Sequence, residues 1–485
     1  MRKRSKSFLA GCISMGLFAI CIVDAFATET PWRCIAASLD SIVQRRALAS
    51  AQVGIAVWSF DRREWVYEKN ADRLFVPASN AKVLIGAAAL HTLGPAKTFA
   101  TTLTADRVPI SGDSVLTGNI YLYGGGNPDL VTGDLTGFAE TLRASGVRRI
   151  RGAVVVDASH FDSVNYALGW SWEDRPYPYC PPISAFLLNG NVVQVTVRPG
   201  SAPGRPVHVT LVPKDAGIPV SVAARTGSEH NTSSRIRVER PNSGIVVKGT
   251  MGGRAEPITV WRTVPDPVRY AGSVFMGALQ DAGITVERGM SIGTSPRNLP
   301  VLARVYSDPL DVILRRYLKR SDNLLGETLV KQMGVATSGR GTWEDGLSAV
   351  RRALRDIAGL DSNAYRLADG SGLSRLNEVS PRMLVQVITS ASSSFSLAPE
   401  FLSALSTAGV DGTLSHRMTE DETRAYLRGK TGTLSGVSSL SGVVESRSGA
   451  RFACAIMMNG TSPSAQTMRQ AQDDVVRVLR NCIEQ

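Results

Sequence analysis

At 485 residues the chain is too long for one compact core and long enough for two or three domains. Hydrophobic residues at 43% and charged residues at 20% are ordinary globular values, which excludes a disordered or fibrous chain. The formal net charge is +12, but the basic residues are scattered with no run like a nucleic-acid-binding arm, so the charge reads as a soluble basic surface.

The first elements in chain order are targeting signals. Arg2, Lys3, Arg4 and Lys6 precede an apolar run at 8–23, and Ala25-Phe26-Ala27 offers small residues for cleavage. Residues 1–27 therefore read as a signal peptide cut after about Ala27, and the chain as exported to the periplasm. Leu9-Ala10-Gly11-Cys12 resembles a lipoprotein box, but apolar rather than polar sequence follows it, so simple cleavage is preferred. No later stretch approaches the roughly 20 apolar residues that span a bilayer.

Beyond the leader, a helix is expected near 33–49 with Ile35, Leu39 and Ile42 on one stripe. Strands follow at 53–60 and 64–68 around Asp61-Arg62, then an apolar helix from Ser79 to about Leu93. From 99 to 287 short β-branched runs (152–156, 192–197, 207–212, 234–238 and 244–250) alternate with Gly, Pro and Ser, which reads as a β-rich insertion. A helical pattern is expected to resume near 288, with helices at 310–318 and 324–333 flanking a polar break. An antiparallel meander is expected at 424–430, 435–445 and 450–459, followed by an amphipathic helix carrying Met468, Ala471, Val475, Leu479 and Cys482. The outline is an α/β chain: residues 28–98 and 288–485 form one discontinuous domain, and 99–287 an inserted one.

Four cysteines follow the leader: Cys34, Cys180, Cys454 and Cys482. None shows C-x-x-C spacing and the five His are scattered, so neither a metal nor another cofactor is expected. Cys454 reads as a buried thiol, and a Cys34–Cys482 bridge between the terminal helices is expected, since export permits disulfides.

Three motifs carry chemistry. Only ten of the 54 basic residues are Lys, and only Lys82 has a Ser three positions before it. In Ser79-Asn80-Ala81-Lys82 that spacing on a helix start places the amine beside the hydroxyl. Burial can then lower the Lys pKa enough for it to act as a base, which Arg cannot do. Ser79 alone could equally be a helix N-cap. Ser321-Asp322-Asn323 sits at the break between two helices, where a hydroxyl could relay a proton and an amide could hold a peptide. Loop capping is the plainer reading, and Ser163-Val164-Asn165 is a decoy of the same form. Lys430-Thr431-Gly432-Thr433, expected at a strand end, suits a carboxylate: an ammonium charge, directed hydroxyls, and a Gly that admits close approach. A phosphate-binding loop is excluded because Arg424 stands where that motif needs Gly. Gly289-Met290-Ser291-Ile292-Gly293 has nucleophile-elbow spacing but no following helix, and reads as a surface hairpin.

In this order the motifs are Ser-x-x-Lys, Ser-x-Asn and Lys-Thr-Gly, the set found in serine β-lactamases and penicillin-binding proteins. With Ser321 lying 242 positions after Ser79, the sequence resembles the D-alanyl-D-alanine carboxypeptidase/endopeptidase family, the class C low-molecular-mass penicillin-binding proteins of peptidase family S13. Asp369-Gly370-Ser371-Gly372-Leu373-Ser374, Asp411-Gly412-Thr413-Leu414 and the segment from Gly124 to Leu130 agree with it.

The resemblance implies a transpeptidase-type fold, an antiparallel sheet flanked by helices and interrupted by the insertion. It implies Ser79 as nucleophile, Lys82 as base and Ser321 as proton relay. Asn323, Lys430, Thr431, Gly432 and Thr433 would bind a peptidoglycan stem peptide or cross-link, or a β-lactam. Asp174, within Gly169-Trp170-Ser171-Trp172-Glu173-Asp174, would meet the amino end of a diamino acid. A β-lactamase of the same superfamily is the alternative, but a class A enzyme's E-x-x-L-N string is missing from 324–429. A second alternative is a silent wall-binding protein.

Overall fold

A computed structural model describes residues 33–110 and 112–482. The expected signal peptide and the side chain of Cys34 lie outside the described residues, so the Cys34–Cys482 pairing does too.

A six-stranded antiparallel sheet organises the first body, in the order Ser406–Thr407, Leu427–Leu434, Val437–Glu445, Arg451–Asn459, Gln52–Ser59, Glu64–Lys69. Its period-two pattern decides which helices cover each face. Along Arg451–Asn459, Ala453, Ala455 and Met457 enter one core while Phe452, Cys454, Ile456 and Met458 enter the other. The first core holds the apolar helix Ala81–Leu93 with Leu310–Arg320, Asn323–Ser338, Trp343–Ala358 and Pro381–Ser393. The second holds the terminal helices Arg33–Val43 and Ala465–Arg480, whose stripes Ile35/Leu39/Ile42 and Met468/Ala471/Val475/Leu479 are buried as their spacing predicts. Residues 81–90 of the apolar helix are buried on all sides, as in a helix running through the middle of a core.

The second body has its own core between residues 103 and 305. It contains the expected strands, but also two helices absent from the sequence reading, Thr132–Ala144 and Pro267–Asp281. Their stripes, Leu135/Phe138/Ala139/Leu142 and Tyr270/Val274/Phe275, have helical spacing, hidden in sequence by neighbouring Gly, Thr and Pro. Asp266 caps the second by accepting the Val268 and Arg269 N–H groups.

The helical pattern does not resume at 288. Met290–Ile292 pairs in parallel with Val154–Asp157, and Val301–Tyr306 pairs antiparallel with Ala100–Ala105, closing the five-stranded sheet of this body. The Gly289-Met290-Ser291-Ile292-Gly293 segment is therefore an edge strand and not a hairpin. Physically, Pro296 and Pro300 stop a helix but leave an extended edge strand possible.

The two bodies meet around residues 161–187. Ala167, Trp170, Cys180, Ile183 and Leu187 of the inserted stretch are packed in the first body's core. The Trp170 indole donates to Asp369 at 2.9 Å, and Lys331 of the Asn323 helix pairs with Asp162.

Candidate active site

The chain reaches Ser79 through a strained backbone. Ala78, fully buried, has φ of +49°, and a short 3-10 turn Ala78–Asn80 leads into the helix Ala81–Leu93. Non-glycine residues pay about 1–3 kcal/mol for such conformations, which persist where packing over-determines them. Neither Ser79 nor Asn80 caps the helix with its side chain. Asn80 instead donates to Ser439 Oγ at 2.7 Å and accepts from Ser441, which ties the turn to the central sheet. The Ser79 hydroxyl is thus left for other work.

Lys82 donates to Ser79 Oγ at 2.9 Å, to Asn323 Oδ1 at 2.7 Å and to the Ser371 carbonyl. The i, i+3 spacing accounts for the first contact; the other two come from residues more than 240 positions away. Lys82 is fully buried, and burial lowers its amine to about 8, against the opposing pull of Asp369, Glu327 and Asp322. The Ser79–Lys82 pair therefore has an acceptor for the hydroxyl proton close to physiological pH.

Ser321-Asp322-Asn323 performs two structural tasks in three residues. Ser321, at φ +59°, ends the helix Leu310–Arg320 in the left-handed conformation, and Asp322 caps Asn323–Ser338 by accepting the Leu325 N–H at 3.2 Å. The capping reading is correct for Asp322. The tight reversal also presents both neighbours inward: Ser321 Oγ receives a hydrogen bond from Lys430 Nζ at 3.0 Å, while Asn323 bridges Lys82 and the Tyr179 carbonyl. The decoy Ser163-Val164-Asn165 lies elsewhere, its Val164 carbonyl held by Lys331.

Lys430-Thr431-Gly432-Thr433 lies within the strand Leu427–Leu434 rather than at its end. A Cβ on Gly432 would come within 2.6 Å of the Pro77 carbonyl and 3.0 Å of the Ser79 nitrogen, so only Gly lets this strand run against the nucleophile turn. Lys430 is fully buried, its amine held well below the usual range by desolvation and then by the charge of Lys82. A buried amine whose ammonium form lacks a counter-ion is a receptor for an anion. Thr431 donates to Thr413 at 2.7 Å, while Thr433 is exposed on the strand surface.

Asp174 is half-buried on the inserted body and accepts from the Tyr179 hydroxyl at 2.6 Å. Because Tyr179 also accepts from Asn323, this acid stands one residue removed from the motif cluster. Tyr177 and Tyr179 stack beside it, and Arg175 lies over the rings of Tyr166 and Trp172.

Several contributors were not assigned roles from sequence. Asp369 collects donors from Trp170, Ser371, Gly372, Ser374 and Asn377 and so shapes the loop that carries Ser371 to Lys82. Gly372, at φ +78°, packs where a Cβ would stand 1.9 Å from the Ala78 carbonyl. The Asp369-Gly370-Ser371-Gly372-Leu373-Ser374 string was visible, but its partners were not. Thr413 lay in the Asp411-Gly412-Thr413-Leu414 string without an assigned role, and Tyr179 carried no motif signal of its own.

The D-Ala-D-Ala carboxypeptidase 3 (S13) family model matches residues 35–482. The chain is 35% identical over 443 residues to a D-alanyl-D-alanine carboxypeptidase of Actinomadura sp. (strain R39), covering 88% of this chain and 81% of that protein. It is 27% identical over 438 residues to the D-alanyl-D-alanine carboxypeptidase DacB of Haemophilus influenzae, covering 89% and 90%. The crystal structure of penicillin binding protein 4 (dacB) from Haemophilus influenzae matches with a TM-score of 0.79 at 26% identity, over 90% of this chain and 97% of that one.

Proposed function

Since the chain belongs to the D-Ala-D-Ala carboxypeptidase 3 (S13) family, we propose that its three motifs cleave the bond between two D-alanines of a peptidoglycan stem peptide through an acyl-enzyme on Ser79. The protein is a serine-type D-Ala-D-Ala carboxypeptidase with endopeptidase activity on cross-links, and it binds β-lactams covalently. The observation that carries the reading is the 2.9 Å contact between Ser79 Oγ and a fully buried Lys82 amine.

Ser79 Oγ attacks the penultimate D-alanine carbonyl while its proton passes to Lys82. The backbone N–H groups of Ser79 and Thr433 receive the oxyanion, where one donor is worth about 10²–10³ in rate. The carboxylate of the last D-alanine meets Lys430, Thr431 and Thr433, and its charge favours the ammonium form of Lys430. Ser321, bonded to Lys430, relays a proton to the leaving amine as the C–N bond breaks. Asn323 holds the acyl-side amide, and water then releases the acyl group to regenerate the Ser79 hydroxyl. Asp174 meets the amino end of a diamino acid in the stem. The expected boundary at 288 moves to about 307, because the strands Met290–Ile292 and Val301–Tyr306 belong to the inserted body; the first body supplies the three motifs and the inserted one supplies Asp174. The reading of residues 1–27 as a cleaved leader places the enzyme in the periplasm; among the described residues no helix is long and apolar enough to cross a membrane.

Intact-mass spectrometry of wild type and Ser79→Ala with benzylpenicillin tests this. A persistent adduct on wild type alone, with D-alanine release from a stem pentapeptide, is the expected result. Rapid loss of the adduct with drug destruction would replace the reading by a β-lactamase. No adduct together with Ser79-independent peptidoglycan binding would replace it by a binding protein.

A further inference from the structure

Glu327 takes no part in the acyl-transfer scheme, yet it is fully buried behind it. It lies one turn after Asn323 on the same helix. Its Oε2 accepts the Trp343 indole N–H at 2.7 Å and the Gly370 backbone N–H at 2.9 Å. Its Oε1 is buried with no hydrogen-bond partner. A carboxylate oxygen in that position is costly, because an ionised oxygen taken from water needs donors.

Its neighbour Asp369 is in the opposite situation, with five donors shared between its two oxygens. The contrast separates the two acids: Asp369 has the donors that an ionised carboxylate needs, and Glu327 lacks them. The Ser371 hydroxyl faces Glu327 and donates to Asp369 at 3.2 Å. It accepts only from the Leu373 N–H, also at 3.2 Å, which leaves it able to accept once more. The carbonyl of the same Ser371 holds Lys82.

We propose that Glu327 is a positioning residue that stands as a neutral carboxylic acid in the resting enzyme. Its Oε1–H is directed to the Ser371 hydroxyl, so that Gly370 and Ser371 are held against Lys82 without a second negative charge beside that amine. The inference rests on the functional reading above, in which Lys82 must be neutral to accept the Ser79 proton. An ionised Glu327 would keep the proton on Lys82; a neutral one releases it. The charged and titratable groups facing Glu327 come from several elements. Asp369 opposes a second charge, Lys82 and Lys331 would favour it, and the Tyr317 hydroxyl and Cys180 thiol would be kept protonated by it. Burial, then the charge of Asp369, pushes Glu327 well above the usual carboxylate range.

The test is the pH dependence of Ser79 acylation by benzylpenicillin, followed by intact mass in wild type, Glu327→Gln and Trp343→Phe. Gln keeps the size and stays uncharged at every pH, so it reproduces the neutral acid and its acid limb is expected to stay within about 0.3 pH unit of wild type, whereas loss of an ionised carboxylate would move the limb down by about half a unit or more. Trp343→Phe removes a donor to the carboxyl, favours the acid form that already stands there, and is expected to leave the limb in place as well. Should the Gln variant not fold, Trp343→Phe carries the comparison. Glu327→Ala, which also loses the Gly370 contact, is expected to lower the plateau about tenfold or more. A limb that moves down by about half a unit or more in the Gln variant, or an unchanged plateau in the Ala variant, overturns the inference while leaving the reading intact. A wild type that takes no adduct overturns the reading itself.

Discussion

Lys82 Nζ stands 2.9 Å from Ser79 Oγ, and all three of its acceptors are neutral: a hydroxyl, the Asn323 amide oxygen and the Ser371 carbonyl. No carboxylate touches the amine, so burial dominates and the amine is lowered to about 8. The sign follows directly. A base must be unprotonated to act, so acylation is expected to be slow below this value and to rise about tenfold per pH unit up to it. Acylation by benzylpenicillin measured across pH checks this. A rate independent of pH through that range would remove Lys82 from the role.

Replacing Lys82 by Arg keeps a cation and its hydrogen bonds but removes the ability to lose a proton. Acylation is expected to fall by about 10²–10⁴-fold, the usual worth of a positioned base. Stopped-flow acylation with a chromogenic β-lactam reads it, with circular dichroism as the check on folding. Activity within a few-fold of wild type would contradict the assignment.

Asn323 tunes the same amine. Asn323→Asp is nearly isosteric but puts a negative charge where the 2.7 Å contact now carries none. An adjacent carboxylate favours the ammonium form, so the acid limb is expected to move up by about one pH unit or more. Glu327→Gln, which exchanges one uncharged group for another, is expected to leave the limb in place. Measuring both variants in one buffer series separates electrostatic effects from general damage to the fold.

Gly372 fixes the loop against the nucleophile turn. Gly372→Ala meets both a left-handed backbone and a Cβ 1.9 Å from the Ala78 carbonyl. Either the loop or the Ser79 turn must move, and a displacement of about 1 Å at reacting groups costs on the order of 10²-fold. The acylation rate of a variant that still unfolds cooperatively is the measurement. A normal rate would show that the turn tolerates the shift.

Asp174 is expected to act on one substrate feature only. Asp174→Ala should raise KM about tenfold for a peptide with a free diaminopimelate amine, and leave benzylpenicillin acylation unchanged. The same peptide N-acetylated at that amine is the control. Equal loss on both peptides would assign Asp174 to holding Tyr179 instead.

What the sequence by itself determined is local. Ser79 and Lys82 share a helical turn because they are three residues apart, and the terminal helices bury Ile35, Leu39, Met468 and Val475 because those recur at helical spacing. The three motifs with their intervals also disclosed the family, since the chemistry needs those residue types in that order. Tertiary structure decided everything that joins distant segments. The Lys82–Asn323 contact spans 241 positions and the Trp170–Asp369 contact 199. The return strand Val301–Tyr306 is held by pairing with Ala100–Ala105, a partner no local pattern names. The charges of Lys82, Lys430 and Glu327 belong here too. A side chain's protonation depends on how much water and which neighbours surround it, and both are set by packing between elements that sequence spacing leaves unrelated.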